Sequence, residues 1–376
     1  MFFKKVVLLF FLISNAFGFS QDKVNIIIEN NLDFDRNEKV ISIDWNIIKN
    51  NFKTLDTLKL IVIDNKTKKQ VPYQFEHKGK KEIQNLLILI DCKAKASTKL
   101  IITKGKKENF ETKTYGRFVP ERKDDFAWEN DKIAFRAYGK TLENTKENAY
   151  GFDVWVKSTD KMVINDRYEK GNYHVDQGNG MDYYHVGLTL GAGNMAPYYK
   201  DSIIYPSNYK EWKVLDNGPL RTTFKLDFDE WQVGNLKVKQ SKIISIDAGS
   251  QLSKIKNQYN YNSNENIEAV IGVIKRKEND VSLLDEQKGI IGYWEPTHQK
   301  YGTTGIGIIV PKKVDTIFEK YEQILAKITL SSKESFSYYT GACWDKKGEF
   351  TSAEEWFQYL YRFAKEIEQP LIIKIQ

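Results

Sequence analysis

The sequence predicts an all-β protein: a large antiparallel β-sandwich with one C-terminal helix. Three observations carry this reading. Short β-branched runs recur along most of the chain, separated by turn residues. Several runs alternate apolar and polar side chains, the period of a strand with one buried face. A capped amphipathic pattern of helical period occurs only near the end. With 376 residues, 41% hydrophobic and 13% aromatic, the chain has material for a large core and not the composition of disorder.

Taken in order, residues 1–20 read as a signal peptide. Lys4 and Lys5 supply positive charge, Val6 to Ile13 an apolar stretch, and Asn15-Ala16-Phe17-Gly18 small residues for cleavage. Residues 21–376 are then expected to form a single β-sandwich domain, exported and either periplasmic or secreted. No later apolar run is long enough to span a bilayer.

From Val24 to Lys104, VNIII, KVISI, LKLIVI, NLLILI and KLIIT have the length and branching of strands, with a hairpin connection at Asp64-Asn65-Lys66-Thr67. In 115–140, Ile133, Phe135 and Ala137 alternate with Ala134, Arg136 and Tyr138. In GFDVWVK, Phe152, Val154 and Val156 alternate with Asp153, Trp155 and Lys157. The polar sets are expected to face solvent or line a groove. Asn217-Gly218 turns into the alternating LRTTFKLDF, and KVKQSKIISI, IEAVIGVIK, KGIIGYW, TGIGIIV and EQILAKITL continue the series. Such regular succession predicts one extended pair of sheets. Ser352 with Glu355 makes a capping box, and Trp356, Leu360, Phe363, Ala364 and Ile367 share one helical face. Pro370 stops that helix, and LIIKI supplies a last strand.

Composition limits the partners. The formal charge of +7 is spread rather than striped, and aromatics do not alternate with the lysines, which argues against nucleic acid. An acidic carbohydrate suits a basic, aromatic-rich exported chain better. Cys92 and Cys343 either bridge or remain buried thiols. Nucleophile elbow, phosphate-binding glycine loop and dinucleotide fingerprint are all missing.

Chemistry concentrates in 171–194, GNYHVDQGNGMDYYHVGLTLGAGN. His174, His185, Asp176, Asp182, Tyr183 and Tyr184 fall among repeated glycines. A divalent cation on the histidines and aspartates is one reading, although the spacing is not a specific signature. General acid–base work by His174 and Tyr184, helped by Arg136, is another. A loop pinned by these same side chains is the third. Arg122 and Arg136 suit a carboxylate, because guanidinium makes bidentate contacts. Tyr293-Trp294-Glu295-Pro296 with His298, and Tyr338-Tyr339 with Trp344-Asp345, offer rings for sugar faces, although such rings also fill cores.

The segments ERKDDFAWENDKIAFRAYG, GFDVWVK, YHVDQGNGMDYYHVG, NGPLRTTF, IDAGS and YWEP resemble a family of exported proteins from polysaccharide-degrading bacteria, catalogued as a domain of unknown function. One branch is similar to an oligosaccharide dehydratase of ulvan degradation. The resemblance covers essentially the whole mature chain. It implies a galactose mutarotase-like sandwich with substrate on a concave face. It also implies loss of water from a non-reducing-end uronic acid, leaving a 4,5-unsaturated uronyl end. No cofactor is expected beyond the divalent cation that the histidines and aspartates leave open.

In that chemistry the enolate formed at C5 needs a cation, assigned to Arg136 with Arg122 in support. His174 and Tyr184 share the roles of base and acid, with either order open, and Asp176 or Asp182 orients the imidazole. Trp128, Trp155 and Trp294 would be sugar platforms, with Tyr138, His298 and Trp344 also lining the cleft. His185 is a secondary candidate. The alternatives are a lyase that expels a sugar from C4, a non-catalytic carbohydrate-binding protein, and a mutarotase-type epimerase.

Overall fold

The computed structural model describes residues 23–52, 56–277, 279–312 and 314–376; the expected signal peptide, 1–20, lies outside the described residues. The strands pair antiparallel and sort into several sheets, so the all-β expectation holds.

The first 80 or so described residues close on themselves. One four-stranded sheet runs, in order, Ile372–Ile375, Val24–Glu29, Ser97–Lys104 and Leu60–Asp64. A three-stranded sheet runs Arg36–Asp44, Asn85–Cys92 and Tyr73–Glu76. Alternation turns Val24, Ile26 and Ile28 inward against Ile43, Leu86, Ile88, Leu100 and Ile102. A short helix, α1 (Trp45–Asn51), covers this core with Trp45 and Ile48, and the Asp44 carboxylate caps it by accepting from Asn46 N. The sequence reading missed α1, because three apolar residues within a seven-residue helix are too few to establish a period.

The rest forms a larger sandwich. A nine-stranded sheet contributes Phe224, Ile244, Ile255, Tyr259 and Tyr338 to the main core. Two five-stranded sheets face it, one contributing Met195 and Ile271, the other Phe126, Trp128, Phe135 and Phe152. LRTTFKLDF behaves as its alternation predicts: Arg221–Asp227 pairs on both sides and buries Thr222, Phe224 and Leu226. The expected single pair of sheets is thus corrected, because 24–104 with the final strand carries enough apolar side chains to fill a core of its own.

The helix foreseen near the end, here α3 (Ala353–Glu368), lies on the back of the nine-stranded sheet. Ser352 caps it by accepting from Glu355 N, while the Glu355 carboxylate accepts from Thr351. Trp356 and Leu360 pack on Ile290, Ile309 and Cys343. Close approach requires glycine beneath: a Cβ on Gly307 would sit 2.4 Å from Leu360 Cδ2. Both cysteines are buried and unbridged.

A third helix, α2 (Ile164–Lys170), was not foreseen. It covers the second face of the strands Ala134–Ala137 and Asp153–Lys157. That face was expected to meet solvent or an open groove. Instead Arg136, Asp153, Trp155 and Lys157 are all buried beneath Ile164, Tyr168 and Tyr173.

Candidate active site

The sheet under α2 runs, in order, Gly180–Asp182, Asp153–Lys157, Ala134–Ala137, Asp125–Asn130 and Thr114–Val119. One face of each strand feeds the main core. The other therefore collects the intervening residues: Asp125 and Glu129 from one strand, Arg136 from the next, Asp153 and Lys157 from a third. Register places Asp153 directly opposite Arg136, and Asp182 opposite Trp155. Buried charges need partners, and here they find one another. Arg136 Nη2 donates to Asp153 at 2.5 Å and to Asp182 at 3.0 Å, while Nη1 lies 3.6 Å from Asp125. The guanidinium sits 4.9 Å from the Tyr138 ring centre and 5.4 Å from that of Trp155.

Three carboxylates around one guanidinium leave negative charge in a dry place. Burial pushes Asp125 up to about 7, against the pull of Arg136 and Arg122. Burial also raises Asp153, and the neighbouring Asp182 raises it further. Asp182 is itself raised by burial, opposed by Arg136 and Arg167. Burial and mutual repulsion thus push all three carboxylates upward, while the guanidinium between them pulls the other way.

The cover is tied down locally. Glu129 accepts from Val163 N and Ile164 N, both at 2.8 Å, at the start of α2, and from the fully buried Lys157 at 2.8 Å. Gly171, at φ 69°, ends the helix in the left-handed conformation. The chain then lays Tyr173 on Trp155, ring centres 4.8 Å apart, with its hydroxyl accepting from Arg122 Nε at 2.8 Å. Next comes His174. Its Nδ1 is 3.0 Å from the Asp182 carbonyl oxygen and 3.5 Å from the Asp182 carboxylate, and its side chain is 64% exposed. A carbonyl can only accept, so this contact requires the hydrogen on Nδ1, which in the neutral ring leaves the lone pair on Nε2.

Arg136, Asp182, Arg122, Tyr138, Trp155 and His174 are therefore brought together, but not all in the expected roles. Arg136 is no free clamp, because carboxylates already occupy it. Trp155 offers no sugar face, being 1% exposed under Tyr173. Trp128 is likewise a core residue, its Nε1 donating to Ser253 Oγ at 3.1 Å. Tyr184 is interior: its ring packs in the main core with Arg276 5.1 Å from its centre, its hydroxyl has no partner, and burial holds that proton well above the usual phenol range. Asp176 ties a turn, accepting from Gly178 N and Gly180 N. His185 is exposed, and its carbonyl accepts from Arg276.

The later aromatics form groups of their own. Trp294 packs under α3. His298 stacks on Tyr301, ring centres 4.5 Å apart, and Trp344 is buried with Nε1 donating to the Tyr301 carbonyl. Sequence reasoning missed Asp125, Asp153, Tyr168, Tyr173 and Arg167 as members of the site. Tyr173 adjoins His174, and Asp153 falls on the same alternation as Arg136, so both signals were present. Among the described residues no group of three or more His, Cys, Asp or Glu is disposed to hold a metal. No helix there is long and apolar enough to cross a membrane.

A sandwich with a buried carboxylate–guanidinium cluster under a short helical cover is thus the architecture in hand. Residues 28–373 match the family described as Domain of unknown function (DUF4861), and the chain belongs to it. A relative from Formosa agariphila, called Uncharacterized protein P7, is 29% identical over 281 residues, covering 70% of each chain. An alpha-mannosidase from Enterococcus faecalis superposes with a TM-score of 0.52 at 9% identity, over 95% of this chain and 46% of that one. A glycosyl hydrolase family 38 protein of the same organism matches at the same score and identity, with 48% of its chain covered. The chain spans about half the length of these two structures, and the likeness is one of fold.

Proposed function

We propose that this protein processes an acidic oligosaccharide by proton transfer, removing water from a terminal uronic acid. One observation carries the reading: an exposed imidazole, with Nδ1 on the Asp182 carbonyl, stands at the rim of a buried cluster of three carboxylates around one guanidinium. His174 Nε2 takes the C5 proton, and the Asp182 carboxylate behind Nδ1 stabilises the imidazolium. The Tyr173 hydroxyl, accepting from Arg122 Nε, still has its own proton to give to the departing C4 hydroxyl. The C5–H and C4–O bonds break, a C4–C5 double bond forms, and water leaves. The imidazolium then returns its proton through solvent to the phenolate. General acid–base groups contribute about 10²–10⁴-fold each, and a donor to the developing enolate adds roughly 2.7–4 kcal/mol. The resemblance to the dehydratase branch and the glycosidase-like sandwich both support a carbohydrate substrate.

The test is product analysis on uronate-terminated oligosaccharides. The expected product is one water lighter, unbroken in chain length, and absorbs in the ultraviolet through its conjugated double bond. Chain cleavage would instead identify a lyase, and retained but unchanged oligosaccharide a binding protein.

A further inference from the structure

Arg167, on α2, differs from the arginines beside it. Arg117 pairs with Glu121, Arg122 with Glu147, and Arg136 with Asp153 and Asp182. Arg167 is 4% exposed and forms no ion pair among the described residues. Its Nη2 donates to the carbonyls of Val156 at 2.9 Å and Asn179 at 2.7 Å, while Nε and Nη1 have no hydrogen-bond partner. The acids whose field reaches it are engaged elsewhere. Glu129 holds Lys157 and the start of α2, and Asp182 lies on Arg136. Asp176 accepts from Gly178 N and Gly180 N, and Asp166 pairs with Lys170 at 2.8 Å. Burial therefore lowers the Arg167 guanidinium to about 10; Arg136 meets the same burial, and its carboxylates overcome it.

This same arginine lines a cavity of about 10 Å³, together with Lys170 of α2 and with Asn172, Tyr173, Gln177 and Asn179 from the chain that follows. Gly180 lets that chain come down on the guanidinium: a Cβ there would sit 2.1 Å from the Val156 carbonyl oxygen and 2.8 Å from Nη2.

We propose that the cavity binds a single halide ion, such as chloride, held by Arg167 with Lys170 and the amides of Asn172, Gln177 and Asn179 around it. Nε and Nη1 are the donors that Arg167 has left for an occupant. The volume admits one water-sized group. A halide is close to that size, whereas a carboxylate or a sulfate is larger. Water would accept two of the unmet hydrogens and leave the buried charge unanswered; a halide accepts from every side and neutralises it. Asp166 also reaches the cavity, but at its rim, where its side chain is 45% exposed and taken by Lys170. The ion would join α2 to the segment that carries Tyr173 and His174. Its binding stiffens the cover whatever reaction that segment serves, so the inference stands apart from the dehydratase reading.

Melting temperature at constant ionic strength tests this, with sodium methanesulfonate replaced stepwise by sodium chloride or bromide. The expected result is a rise of about 2 °C for each tenfold increase in halide above its dissociation constant. Arg167→Gln should abolish the rise, and Lys170→Met should raise the dissociation constant at least threefold, whatever melting temperature each variant starts from. Crystals soaked in bromide give the position directly. An anomalous peak beside Nε and Nη1 of Arg167 is expected, and it decides the matter even where Arg167→Gln does not fold. An equal rise in Arg167→Gln, no difference between halide and methanesulfonate, or water in the cavity of the bromide crystals would overturn the proposal.

Discussion

Single side chains separate the chemistry from the packing. Tyr184 looked like half of a proton-transfer pair, yet its hydroxyl is buried in the main core without a partner. Tyr184→Phe is expected to leave turnover unchanged and to raise stability by up to about 1 kcal/mol, since a buried orphan hydroxyl is removed. A tenfold loss of kcat in this variant would restore it to the site. In the proposed mechanism Tyr173, beside His174, takes its place as proton donor. The sequence contained both tyrosines, and what it could not show is which of them turns inward. That choice depends on the stacking of Tyr173 on Trp155, a contact between segments distant in the chain.

At the scale of elements, α2 exists because Glu129 receives it. The carboxylate is fully buried, accepts two backbone N–H groups at the helix start, and pairs with an equally buried Lys157. Removing one partner of such a pair costs roughly 3–5 kcal/mol, because the other charge is left uncompensated. Glu129→Ala should therefore lower the melting temperature and expose 163–182 to proteolysis; protection equal to wild type would show that packing alone holds the cover. Strands were legible where one face is apolar, as in LRTTFKLDF, and α3 where a cap and a stripe coincide. α2 was not, since INDRYEK buries Arg167 and Tyr168 as well as Ile164, and its stop signal is one glycine. The same cover made the site partly illegible: Arg136 and Asp153 alternate as residues facing water do, yet they face a helix.

Across the whole molecule, buried titratable groups set the dependence of stability on pH. Burial raises Asp125, Asp153 and Asp182 above their unfolded values, so the stability they contribute falls as pH climbs from about 4 to 7. Lys242 acts in the opposite sense. It is fully buried between the rings of Phe152 and Phe228, with Asn194 Oδ1 as its hydrogen-bond acceptor, and burial lowers it to about 7. The unfolded chain then binds more protons between pH 7 and 10, and stability rises across that window. Melting temperatures should accordingly pass through a minimum near neutrality. Lys242→Met should abolish the alkaline rise and stabilise at pH 7 by roughly 1–3 kcal/mol, since Asn194 Oδ1 keeps its bond from Met195 N. A monotonic profile, or a destabilised Lys242→Met, would contradict this.

The division of labour between His174 and Tyr173 is the central claim, and hydrogen exchange at C5 tests it most directly. A uronate-terminated oligosaccharide is incubated in deuterated water with each variant and followed by proton NMR. Tyr173→Phe should still exchange the C5 proton while forming unsaturated product about 100-fold more slowly or less, whereas His174→Ala should do neither. Elimination at the wild-type rate by His174→Ala would contradict the account.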